Sequence, residues 1–106
     1  MTAQVVNGQI TGYVINGGSA TVNLSPNVSG FPSPVQPTLT TGNSPSYTVD
    51  ANQKDGFQVT YINTTKSGGC VFTFSPRLNG WQIAASSLGN AQCGVSANND
   101  LQIKAS

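Results

Sequence analysis

The sequence predicts an all-β domain, an antiparallel β-sandwich of about seven or eight short strands. Three observations carry that expectation. Helical periodicity is nearly absent, whereas apolar and polar residues alternate with period two in run after run. Glycine and β-branched residues recur throughout. Asn-Gly pairs stand between strand-like runs at Asn16-Gly17 and Asn79-Gly80, where such pairs supply turns. The 106 residues fit one domain, spanning 1–106, with room for one modest core and no internal repeat.

Taken in order, the first element is a hairpin in TGYVINGGSATVNL, residues 11 to 24, with Asn16-Gly17 as its two-residue turn. Asn7-Gly8, upstream of it, marks a bend or bulge. Residues 25–46 then hold five of the six prolines, Pro26, Pro32, Pro34, Pro37 and Pro45. Proline fixes φ and removes a ladder donor, so this stretch reads as an irregular crossover over one end of the sheets. PTLTT, residues 37 to 41, fits a short edge strand inside it. Phe31, Pro32, Pro34, Val35 and Pro37 form a candidate partner-binding loop, because a lone phenylalanine among polar residues and prolines is either tucked beneath the loop or offered to a partner.

The second half is more regular, with strands expected at 56–63, 69–75, 80–86, 91–96 and 100–105. Pro76 and Arg77 lengthen the connection that carries Asn79-Gly80. Alternation turns Phe57, Val59 and Tyr61, then Cys70, Phe72 and Phe74, then Trp81, Ile83 and Ala85, then Cys93 and Val95, then Leu101 and Ile103 to the core. Gln58, Thr60, Thr73, Gln82, Gln92, Gln102 and Lys104 face water by the same rule.

Cys70 and Cys93 are the only cysteines and the chain has no histidine. A nucleophilic cysteine needs a base or an electropositive setting, and Lys66 alone is a weak one. Without histidine the Cys-His and Ser-His-Asp constellations cannot form, and two cysteines make neither a CxxC pair nor a zinc site. A structural disulfide follows. It also constrains strand order. In a plain three-strand meander the two cysteines would lie about 9.5 Å apart, two strand spacings, whereas a disulfide needs Cα atoms about 4.4–6.8 Å apart. Either strand 80–86 leaves the sheet, or the bond joins two facing sheets, or Cys93 lies on a loop that folds back.

A tryptophan following a bridged cysteine, Trp81 standing 11 residues after Cys70, resembles the immunoglobulin fold. Cys93 follows far too soon for the cysteine spacing of that family, and no tyrosine stands two residues before it. An immunoglobulin-like or Greek-key architecture is retained and the family is not.

Composition narrows function. Charged residues make up 7% of the chain, against about 25% in ordinary soluble domains. In their place 42 of the 106 residues are Ser, Thr, Asn or Gln, a neutral polar coat common on exported proteins. A net charge of +1 cannot supply the basic stripe that nucleic-acid binding requires. No apolar segment reaches the roughly 18–20 residues that span a bilayer, so no membrane insertion is expected. No charged and then apolar leader opens the chain, and the composition predicts an exported protein, periplasmic, secreted or on the cell surface, whose leader has been removed.

Asp50, Asp55 and Asp100 are the only carboxylate side chains. DANQKDG, which carries the first two, reads as a polar turn, without the ligand spacing of a calcium loop. Neither metal nor cofactor is expected. Tyr13, Tyr47, Tyr61, Phe31 and Trp81 are the aromatics that could stack on sugar rings, Tyr61 and Trp81 having core parity. Asn23, Asn27 and Asn63 head N-glycosylation patterns that a chain this rich in Asn, Ser and Thr produces by chance.

The expectation is a non-catalytic exported domain that binds a protein or glycan, or serves as a subunit of a surface assembly and self-associates through strand edges. The alternative is a protein-interaction module that uses the proline-rich loop 30–37. A hydrolase using aspartates comes third.

Overall fold

The computed structural model describes residues 2–3, 10–24, 38–49, 55–65, 67–77 and 80–105. Among them are ten strands and no helix: β1 (Thr2–Ala3), β2 (Ile10–Asn16), β3 (Val22–Leu24), β4 (Thr38–Leu39), β5 (Ser46–Val49), β6 (Phe57–Asn63), β7 (Gly69–Arg77), β8 (Gly80–Leu88), β9 (Gln92–Val95) and β10 (Leu101–Lys104). One sheet runs β1-β8-β7-β6-β3-β4 and the other β5-β2-β10-β9. They close on a single apolar cluster, so the predicted sandwich is what forms. The two-residue strands β1 and β4 lift the count above the seven or eight expected.

Alternation fills the core as read. Val59, Tyr61, Phe72, Phe74, Ile83, Leu101 and Ile103 are buried, and the rings of Phe57 and Phe74 stack at 4.6 Å with Trp81 edge-on to Phe57 at 5.9 Å. Tyr47, from the opposite sheet, meets Phe74 edge-on at 5.9 Å. Ala85 departs from the pattern. It has core parity but is exposed, because the burial of β8 ends at Ile83.

Three local expectations give way to the sheet arrangement. Residues 11–24 contain two strands but no hairpin, because β2 lies in the four-stranded sheet and β3 in the six-stranded one. The chain changes layer at Asn16-Gly17, and Gly17 is not among the residues of positive φ. Gly18 is needed for close approach, since a Cβ there would meet the Ala105 backbone. The connection from β7 to β8 is also shorter than expected, with Pro76 inside β7 opposite Trp81 and Arg77 opposite Gly80. β6 begins at Phe57, opposite Phe74, so among the described residues β7 has no ladder partner at Pro76 on that side, and the proline ring lies toward Gly56. Lastly, β2 and β10 pair in parallel, Leu101 beside Val14. Parallel neighbours need a long crossover, which here includes most of the six-stranded sheet.

The disulfide joins Cys70 on β7 to Cys93 on β9, with Cα atoms 5.7 Å apart. Of the three arrangements left open by sequence, the bond between facing sheets is the one present; β8 stays beside β7. At the other end of β6, Asn63 builds the turn into β7. Its Oδ1 accepts from the N–H groups of Ser67 and Gly68 at 2.9 and 3.3 Å, and its Nδ2 donates to Ser67 Oγ at 3.2 Å. This buried side chain is structural, so the Asn63 glycosylation pattern has no available amide.

Burial of two tyrosines sets the alkaline limit of stability. Tyr61 is pushed up to about 12 from an ordinary 10.0 by desolvation. Tyr47 is shifted in the same direction, first by burial and then by the Asp100 charge. Both phenols stay protonated in the fold after they ionise in the unfolded chain. Their stabilisation is complete below pH 10 and is lost as pH rises through the folded values, with a limiting slope of about 2.7 kcal/mol per pH unit for two protons. Urea midpoints measured from pH 7 to 12 are expected to fall steeply above pH 10, with tyrosinate absorbance at 295 nm rising as the buried phenols are released. Ionisation of all the tyrosines at pH 10 without loss of the midpoint would contradict this burial.

Candidate ligand-binding face

The outer face of the four-stranded sheet is assembled by parity. β2 turns Ile10, Val14 and Asn16 inward and Thr11, Tyr13 and Ile15 outward. β5 places Ser46 beside Tyr13 and Thr48 beside Thr11. On the other flank Gln102 pairs with Ile15 and with Gly94, and Lys104 pairs with Gln92. A hydroxyl-rich and amide-rich surface results, with Tyr13 and Ile15 as its apolar strip.

Tyr13 is 53% exposed, while Tyr47, Phe57, Tyr61, Phe72, Phe74 and Trp81 are buried. Among the sequence candidates for stacking, Tyr47, Tyr61 and Trp81 therefore belong to the core, and Phe31 lies outside the described residues. Tyr13 alone of the described aromatics offers its ring to solvent.

Beside Tyr13 a cleft of about 360 Å³ is lined by Thr11, Ser46, Asn98 and Asp100. Its far wall is the turn between β9 and β10, which is tied down at several points. Ser96 Oγ accepts from the N–H groups of Asn98 and Asp100 at 3.2 and 3.1 Å. Asn99 takes φ 67°, a left-handed conformation that asparagine tolerates, and its carbonyl accepts a 2.6 Å hydrogen bond from the Tyr47 hydroxyl. Asp100 Oδ1 accepts from the Tyr13 N–H at 3.0 Å, clamping the turn to β2. The carboxylate is thereby held at the cleft wall, with the exposed Asn98 nearby.

A second cleft, of about 300 Å³, lies on the same face and is bordered by Ile15, Gln92, Gly94, Gln102 and Lys104. Tyr13 and Ile15 border one cleft each and stand about 7 Å apart along β2. Gly94 leaves the second cleft unfilled. A Cβ added to it would meet only Gln102 Oε1, at an ordinary 3.5 Å, so the fold does not demand glycine there.

Other sequence candidates fall elsewhere. Phe31, Pro32, Pro34, Val35 and Pro37 lie outside the described residues, as do Asp50 and Asn27. Asp55 precedes β6 and Asp100 precedes β10; among the described residues no group of three His, Cys, Asp or Glu side chains comes together. Asn23 Oδ1 accepts from the Thr38 hydroxyl at 2.9 Å on the six-stranded sheet. The contributions of Asn98 and Gly94 to the clefts were not read from sequence. Gln92, Gln102 and Lys104 were expected to face water; the parallel β2–β10 pair brings Gln102 and Lys104 beside Tyr13's strand, with Gln92 one strand further on.

Compared with protein-family models, curated proteins and solved structures, the chain matches none. The class that fold and site define is a small β-sandwich stapled by one disulfide between its sheets. Among the described residues no helix is long and apolar enough to cross a membrane.

Proposed function

We propose that this is a non-catalytic exported binding domain that holds uncharged, hydroxyl-rich ligands, glycans by chemical class, on the outer face of its four-stranded sheet. The observation that carries the reading is Tyr13, an exposed ring beside a cleft whose other groups are hydroxyls, an amide and one carboxylate. A tyrosine ring offers a flat apolar platform to the C–H face of a pyranose, and oriented oxygens and amides bond the ring hydroxyls. The second cleft, also lined with amides, extends the same surface along β2. Export is supported by the disulfide and by a surface that is polar with little charge.

The test is a glycan array probed with the oxidised protein, followed by calorimetry on the best ligand. Tyr13→Ala is expected to weaken binding by about tenfold or more with little change in melting temperature, because the side chain is 53% exposed. Gly94→Gln, which fills the second cleft, is expected to weaken longer ligands selectively. An array on which the wild-type protein binds nothing, or a Tyr13→Ala protein that binds as well as wild type, would sink the proposal.

A further inference from the structure

β8 is paired along its whole length on one side, from Gly69 opposite Leu88 to Arg77 opposite Gly80. On its other side, among the described residues, the only partner is β1, opposite Trp81 and Gln82. Beyond that point Ala84, Ala85, Ser86, Ser87 and Leu88 are all exposed. Soluble proteins usually blunt such an edge with a charge, a proline or a bulge. This one has no charged residue and no proline, and its nine consecutive pairs with β7 leave no bulge.

The geometry points to a second copy of this chain as the occupant, its β8 added antiparallel to the first so that the two six-stranded sheets run on as one. A two-fold axis through Ser86 sets Ala84 opposite Leu88 and Ala85 opposite Ser87, so the edge is complementary to itself. The open window also ends where such a partner would end. Gln82, the first position covered by β1, would face Asn90, which has already left the sheet in the turn to β9. Leu88, 38% exposed and on the outer face, would be covered by Ala84 of the second copy. With no charge in the window and a net charge of +1 per chain, little electrostatic repulsion opposes the contact.

A five-residue ladder falls short of the roughly 1,200–2,000 Å² of a stable interface, so the dimer forms as concentration rises. Sedimentation velocity on the whole oxidised chain is expected to show a monomer–dimer equilibrium, with amide exchange over 83–88 slowing as concentration increases. Ser86→Lys places two ammonium groups opposite each other at the axis and is expected to weaken dimerisation about fivefold. Ser86→Asp does the same with carboxylates. An equimolar mixture of the two variants should recover association beyond either alone, which only pairing through Ser86 explains. A monomer at every concentration, or dimers indifferent to both substitutions and to their mixing, would overturn the inference. Both variants change an exposed side chain, and their melting curves report that the fold is kept.

Discussion

Replacing both cysteines, Cys70→Ala with Cys93→Ala, is expected to cost about 3–4 kcal/mol on the chain-entropy account, for cysteines 23 residues apart in sequence. Against a total of about 5–15 kcal/mol for a small domain, that corresponds to a fall of roughly 15–25 °C in Tm. The loss should be uneven across the molecule. β9 is the edge of its sheet; among the described residues its ladder is four pairs with β10, its Cys93 and Val95 are only partly buried against the core, and the disulfide ties it to β7. Without the bond β9 is expected to open before the core does, with amide exchange over 92–95 accelerating more than over β6 and β7. Gln92 and Gly94 lie on that strand, so the second cleft loses its wall while the cleft beside Tyr13, bounded by β2, β5 and the tied turn, persists. A loss below about 1 kcal/mol, outside the range expected for a native disulfide, would remove the staple from the account. Equal acceleration of exchange in every strand would contradict the local order of opening.

Legibility in the sequence followed the range of the interactions. Period two is a local property, and it placed Phe57, Phe72, Phe74, Trp81, Ile83, Leu101 and Ile103 in the core because nothing in their surroundings opposed it. It failed at Ala85, where parity is correct but burial ends at Ile83; cover comes from another part of the chain. The cysteine arithmetic went further than periodicity because bond length is a long-range constraint. It excluded the flat meander and kept the cross-sheet bond among the alternatives. Parallel pairing of β2 with β10 had no local sign, since the partners are more than eighty residues apart. For that reason Tyr13 was legible as a stacking candidate while its neighbours on the face were legible only as water-facing positions. Asp100 was weighed for proton transfer, and the structure uses it to fix the Tyr13 backbone. Pro76 was read as part of a lengthened connection to the next strand, and it occupies a stretch of β7 where the β6 neighbour has ended.

Asn16 carries the second large expected effect. In the sequence it is the first half of an Asn-Gly turn; in the structure it is fully buried, at 0% exposure, where the chain passes from one sheet to the other. Its Nδ2 donates to the carbonyls of Ala20 and Leu39 at 3.0 and 2.9 Å, and its Oδ1 accepts from the Gly18 N–H at 3.2 Å. One amide thus satisfies the crossing and ties it to β4. Asn16→Ala leaves two carbonyls and one N–H without these partners, and is expected to cost about 3 kcal/mol or more. Asn16→Asp should be worse at neutral pH, because a carboxylate oxygen would then face two carbonyl oxygens in a buried site. Burial raises the folded pKa of the introduced carboxyl above its unfolded value near 3.9. The sign follows: the deficit relative to wild type is smallest below pH 4, where the protonated group can still donate one hydrogen bond, and grows as pH rises through the folded value. Urea unfolding of the two variants at pH 3.5 and 7 checks both statements. If the Asn16→Ala protein unfolded within about 0.5 kcal/mol of wild type, the size of an ordinary surface substitution, the crossing would be held by its glycines and strand ladders without the amide.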